Sequence, residues 1–228
     1  MTDRRESPFW SYEDLALLLS AILPCYVGAY MLVRFSGVTS KEGQTLILQS
    51  SLYALLVTSL YLLVAWRYRR PFWRSLGWVR PLRGAWWCVV GGPLLAVSVA
   101  VLGAAFHAPE GPDPIKGLIT GRASLVIVMI FAVVLGPIFE ELFFRGFLFP
   151  LLARTFGAAA GIFLSALPFA LLHGGQYQWA WQQITLVGIA GVAFGFVRSR
   201  TGSTAASTIL HSCFNLTQFV AFLALRGF

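Results

Sequence analysis

Charge is scarce in this chain. Asp, Glu, Lys and Arg together make up 11% of its 228 residues, against about 25% in an ordinary soluble domain. With 57% hydrophobic residues, too little polar surface remains to cover a soluble fold, and lipid is the natural solvent for the excess. Acidic residues number 9 against 17 basic ones, and the net charge of +8 comes almost entirely from Arg. No nucleic-acid partner follows from that charge: the Arg sit in loops beside apolar stretches, and no basic stripe with base-stacking spacing is present. The 3 cysteines, Cys25, Cys88 and Cys213, lie in apolar stretches without a CxxC. No disulfide framework or thiolate zinc site is expected from them, and the cysteines read as small buried hydrophobes. No cleavable signal peptide is expected either. The start, MTDRRESPFWSYED, is polar, and the first apolar run is longer than a signal core and has no small-residue cleavage site after it. That first helix is expected to anchor the chain. Repeats and low-complexity tracts are absent.

What is abundant is apolar runs long enough to cross a bilayer, which takes about 20 residues each. They cover 15–33, 44–66, 84–106, 122–153, 155–173, 181–197 and 203–225. The fourth contains Gly136-Pro137, where the missing proline donor predicts a kink. The expected fold is all-α, a polytopic transmembrane bundle of seven spans, or eight if the fourth run breaks in two. Residues 1–121 read as N-terminal spans and 122–228 as the core that carries the site, between helices of the C-terminal half. A basic linker, 67–83, interleaves Arg67, Arg69, Arg70, Arg74, Arg80 and Arg83 with Phe72, Trp73, Leu76 and Trp78. It reads as an amphipathic segment facing anionic headgroups, or as a plain basic loop. As the densest Arg cluster it belongs in the cytoplasm, which puts the N-terminus, Arg154, Arg198 and Arg200 on the same side. Trp86 and Trp87 sit where interface aromatics do. His107, in the proline-punctuated loop 107–117, reads as a loop histidine.

Few ionisable residues remain in the spans: Glu140, Glu141, Arg145, His173 and His211. A charge near a helix centre costs roughly 2.5–3.5 kcal/mol on insertion scales, so each is a functional candidate by default. Arg145 lies one helical turn after Glu141, the spacing of an ion pair on one face. Glu140 points about 100° away from Glu141, and a desolvated carboxylate there suits a proton acceptor. His173 ends an apolar helix before Gly174-Gly175. His211 and Asn215 share a helix face and offer two donors for an oxyanion. Together the residues could activate water for amide hydrolysis. Glu140, His173 and His211 also resemble a two-His, one-carboxylate zinc site, although HExxH is absent. Two other classes stay open: a non-catalytic immunity or scaffold protein whose polar cluster serves packing, and a proton-coupled carrier.

Three ordered motifs carry a family resemblance. They are EExxxR at Glu140-Glu141-Leu142-Phe143-Phe144-Arg145, FxxxH at Phe169-Ala170-Leu171-Leu172-His173, and HxxxN at His211-Ser212-Cys213-Phe214-Asn215. The region 124–228 resembles the CPBP family of intramembrane (metallo)proteases, which includes type II CAAX prenyl endopeptidases and bacteriocin self-immunity (Abi) proteins. The resemblance implies an endopeptidase in a bacterial-type plasma membrane, acting on membrane-associated or lipid-anchored peptides. It implies Glu140 as the base, His173 orienting the water, and His211 and Asn215 holding the oxyanion. Glu141 and Arg145 would shape the site. For a cofactor it leaves two choices: none, with a glutamate-activated water, or a single divalent metal such as zinc on Glu140, His173 and His211.

Overall fold

The computed structural model describes residues 8–81, 85–109 and 116–226. Expectations resting on Arg83, on Gly84, on the middle of the 107–117 loop and on the first seven residues lie outside the described residues. Among those described there are helices and no strands. They are α1 (Tyr12–Phe35), α2 (Lys41–Arg67), α3 (Phe72–Ser75), α4 (Trp86–Ala105), α5 (Arg122–Phe156), α6 (Ala158–Leu172), α7 (Trp181–Thr201) and α8 (Thr204–Arg226). By length and composition, 6 of them can cross a membrane: α1, α2, α4, α5, α7 and α8. The apolar α6, with 15 residues, is about 22 Å long at 1.5 Å per residue, short of the roughly 30 Å hydrocarbon core. Side chains such as Leu94, Val97, Val101, Phe163 and Leu172 project outward, as lipid-facing residues do.

The chain forms two compact units, one of them Pro8–Ser75. There α1 packs along α2. Ser11 caps α1 by accepting from the Glu13 amide, and Asp14 reaches back to the Ser11 amide at 2.8 Å, so two of the helix's unpaired amides are met. Asp14 is 1% exposed. It also accepts from the Tyr68 hydroxyl at 2.5 Å and pairs with Arg67 at 3.5 Å. The sequence reading began this span at residue 15 and left Asp14 in the polar leader. The structure corrects that, because the partners that make its burial tolerable come from the far end of α2. The hydrogen bond to Asp14, with burial, raises the Tyr68 phenol above its usual pKa.

The second unit, Leu76–Phe228, contains α4 as well as the helices beyond residue 122. Its longest contacts run between α4 and α8, α6 and α7, and α6 and the end of α5. Small residues permit these approaches: a Cβ on Gly92 of α4 would lie 2.7 Å from the Phe214 amide of α8. The basic linker is not one amphipathic helix. Beyond α3 it becomes an irregular strap over the α7–α8 turn. Leu76 and Gly77 accept from the Thr204 hydroxyl and amide at 2.6 and 2.8 Å, and Val79 accepts from the Ser203 hydroxyl at 2.5 Å. The strap thus meets donors at the start of α8 that have no partner within the helix.

Helix α5 runs through Gly136-Pro137 without breaking. Two π-helical stretches, Phe131–Leu135 and Leu142–Leu148, interrupt its α-helical register. Such stretches occur frequently at functional sites; these two flank the Glu140-Glu141 pair.

Candidate active site

Glu141 is the centre of a closed polar cluster. Its Oε1 accepts from Arg145 Nη1 at 2.8 Å, one turn along α5. Ser207 of α8 donates to its Oε2 at 2.5 Å. His211, one turn after Ser207, brings Nδ1 to Oε1 at 3.1 Å. Glu141 and Arg145 are both 0% exposed, so the charges offset each other where neither could be solvated. Arg145 spends Nη2 on the Gly191 carbonyl of α7 at 2.8 Å. Its guanidinium carbon lies 4.5 Å from the centre of the Phe169 ring and 5.4 Å from that of Phe194, and such contacts strengthen when desolvated. Gly191 is required by that approach: a Cβ there would lie 3.0 Å from Phe169 and 3.3 Å from Arg145 Nη2.

Glu140 differs from its neighbour although one peptide bond separates them. Its side chain keeps 17% exposure, and its Oε2 stands 3.8 Å from His211 Nε2. The 100° turn between adjacent residues therefore sets the two carboxylates against opposite nitrogens of one imidazole. Phe194 stacks on that ring at 4.3 Å and 20° and fixes its plane. With Nδ1 facing a carboxylate, that nitrogen carries hydrogen. Nε2 is then an acceptor in the neutral ring and a donor in the imidazolium.

His173 closes α6. Its Nδ1 lies 2.8 Å from the Phe169 carbonyl, which can only accept, so the hydrogen is on Nδ1 and Nε2 keeps a lone pair. Phe169 contacts both histidines, its ring centre 4.8 Å from that of His173 and 5.9 Å from that of His211. Asn215, one turn beyond His211, donates from Nδ2 to the Ala132 carbonyl of α5 at 2.8 Å. The His211–Asn215 pair thus spends one donor each on the protein's own groups. What it can offer elsewhere is His211 Nε2 and the second Asn215 amide hydrogen.

Among the described residues, no group of three His, Cys, Asp or Glu is placed to hold a metal ion. Glu140 and His211 come together, whereas His173 is linked to them through a phenylalanine ring. Glu140, His173 and His211 do not fit a zinc site in this arrangement, and no step is derived through a metal. Cys88 is buried, Cys213 is half-buried and neither is paired. His107 sits in the turn after α4.

Sequence reasoning missed Ser207, Phe194 and Gly191. Ser207 did leave a signal: Ser207, His211 and Asn215 recur every fourth residue and form a polar stripe on α8, with Ser203 one step before its start. The other two act through a ring face and a carbonyl, which residue type does not announce.

Residues 122–217 match the family model described as type II CAAX prenyl endopeptidase Rce1-like. No curated protein and no solved structure matches the chain.

Proposed function

We propose that this integral membrane protein is an endopeptidase of the CAAX protease type, in keeping with the match of residues 122–217 to the type II CAAX prenyl endopeptidase model, and that its general base is Glu140. The observation that carries the reading is the contrast between the adjacent carboxylates. Glu141 is sealed and engaged by three side chains, while Glu140 keeps an exposed edge beside an imidazole nitrogen.

In this mechanism the family resemblance gives His173 the orienting role, and the Glu140 carboxylate holds a water. The water attacks the scissile carbonyl, its oxygen forms the new C–O bond, and Glu140 takes its proton. The carbonyl electron pair moves to oxygen, and the oxyanion accepts from His211 Nε2–H, in the imidazolium form, and from the second Asn215 amide hydrogen. Preorganised donors of this kind are worth about 10²–10³ in kcat each. The tetrahedral centre then collapses, the C–N bond breaks, and Glu140 passes its proton to the leaving amine. Glu141, Arg145 and Ser207 hold His211 and the α5 backbone without touching substrate. The substrate class is a membrane-associated or lipid-anchored peptide reaching the site from the bilayer, with the N-terminus and the Arg-rich linker on the cytoplasmic side of a bacterial-type plasma membrane.

The contacts that Glu141 makes with Arg145, Ser207 and His211 also suit a second reading, a non-catalytic packing cluster. Purified protein in liposomes with quenched reporter peptides separates the two. The proposal expects cleavage by the wild type and none by Glu140→Ala or His211→Ala, with the melting temperature of Glu140→Ala unchanged. Wild-type rates in both variants would end the assignment, and failure of both to accumulate would favour packing.

A further inference from the structure

Both prolines of the site-bearing half of α5 stand immediately after a five-residue backbone register. The Gly136 amide donates to the Phe131 carbonyl, and the Phe149 amide to the Phe144 carbonyl. In that register the next donors would be Pro137, to the Ala132 carbonyl, and Pro150, to the Arg145 carbonyl. Proline has no N–H. Two carbonyls are thereby left without their in-register backbone donor, inside a membrane helix where an unmet polar group is costly.

Each receives a side chain from another helix. Asn215 of α8 donates to Ala132 O at 2.8 Å, and Arg198 of α7 donates from Nε to Arg145 O at 3.1 Å. The first lies upstream of Glu140 and the second at the last residue of the EExxxR motif, so the pair brackets the catalytic carboxylate. Arg198 is itself held on course. Its guanidinium carbon lies 6.0 Å from the centre of the Phe149 ring. Its Nη2 would be 2.6 Å from a Cβ on Gly77, whose φ of +71° already favours glycine.

We infer that Arg198 is a positioning residue for the proposed peptidase reaction: it supplies the donor that Pro150 lacks and so locks the register in which α5 presents Glu140 and Glu141 to His211. The inference rests on the peptidase reading for its kinetic consequence and on the backbone pattern alone for the lock. It separates Arg198 from Arg200, whose exposed side chain is left to a topological role.

The test is an exchange of donors in the full-length chain in liposomes, using Arg198→Met, Pro150→Ala and the double variant. Arg198→Met is expected to lower kcat roughly tenfold to a hundredfold with KM unchanged, the signature of a misplaced catalytic group. Pro150→Ala restores an amide at the vacant position and is expected to behave like wild type. The double variant should regain most of the lost kcat, because the backbone then meets the Arg145 carbonyl. A double variant as slow as Arg198→Met overturns the inference and leaves the peptidase reading intact. If Arg198→Met does not accumulate, the readout is accumulation and melting temperature: recovery with Pro150→Ala supports the lock, and continued absence overturns it. If the wild type cleaves nothing while Pro150→Ala restores the melting temperature of Arg198→Met, the peptidase reading has failed and the lock stands.

Discussion

Ser207 shows how one hydroxyl can decide the behaviour of a buried charge. It donates to Glu141 Oε2 and also lies 2.9 Å from the Phe194 carbonyl, so it links the carboxylate to the helix whose ring stacks on His211. Replacing it with Ala leaves a buried carboxylate oxygen without this donor, a loss of about 1–3 kcal/mol. Ser207→Ala is therefore expected to lower the melting temperature and to reduce kcat, by less than loss of Glu140 does. An unchanged melting temperature would show that Glu141 does not depend on this hydroxyl. The Glu141–Arg145 pair was legible in the sequence, because the spacing of one helical turn alone dictates it. The link from His211 to Glu141 was not, since nothing local to either residue records that their helices meet. Asp14 was misread for the same reason: its partner Tyr68 is distant in sequence, and a carboxylate beside a polar leader looks solvated until that hydroxyl arrives.

At the scale of the helix, proline determines more of this site than the kink expected from Gly136-Pro137. Helix α5 stays continuous, and the missing donor is made good from α8 through Asn215. In the proposed reaction that residue has two separable tasks, holding Ala132 and donating to the oxyanion. The double variant Asn215→Ala/Pro137→Ala is expected to recover the melting temperature lost in Asn215→Ala, since alanine at 137 returns a backbone donor. It should not recover kcat, since nothing replaces the oxyanion contact. Recovery of both would leave Asn215 a structural role alone. The long spans were legible from hydropathy because length and composition suffice to define them. The π-helical registers were not: they reflect where backbone hydrogen bonds find partners on neighbouring helices, which hydropathy does not encode.

For the whole molecule, the chain divides at Ser75/Leu76, and every residue of the candidate site falls in the Leu76–Phe228 unit. The sequence placed the boundary at 121/122, where the motif-bearing helices begin. It had no means of seeing that α4 packs along α8, since α4 carries almost no polar residue to mark the contact, which depends on Gly92. The family match over residues 122–217 covers the three motifs and leaves the substrate to experiment. Since Glu140, His173 and His211 do not gather as metal ligands, peptide cleavage is expected to survive EDTA and 1,10-phenanthroline, checked by initial rates before and after dialysis. Loss of activity restored by zinc would contradict that. The central claim is that Glu140 acts as a base on water, and the isosteric variant Glu140→Gln tests it most directly, because the amide keeps the shape and cannot take the proton. Measured in the same liposomes as the wild type, Glu140→Gln is expected to show no cleavage above background at an unchanged melting temperature. Cleavage at the wild-type rate would contradict the account.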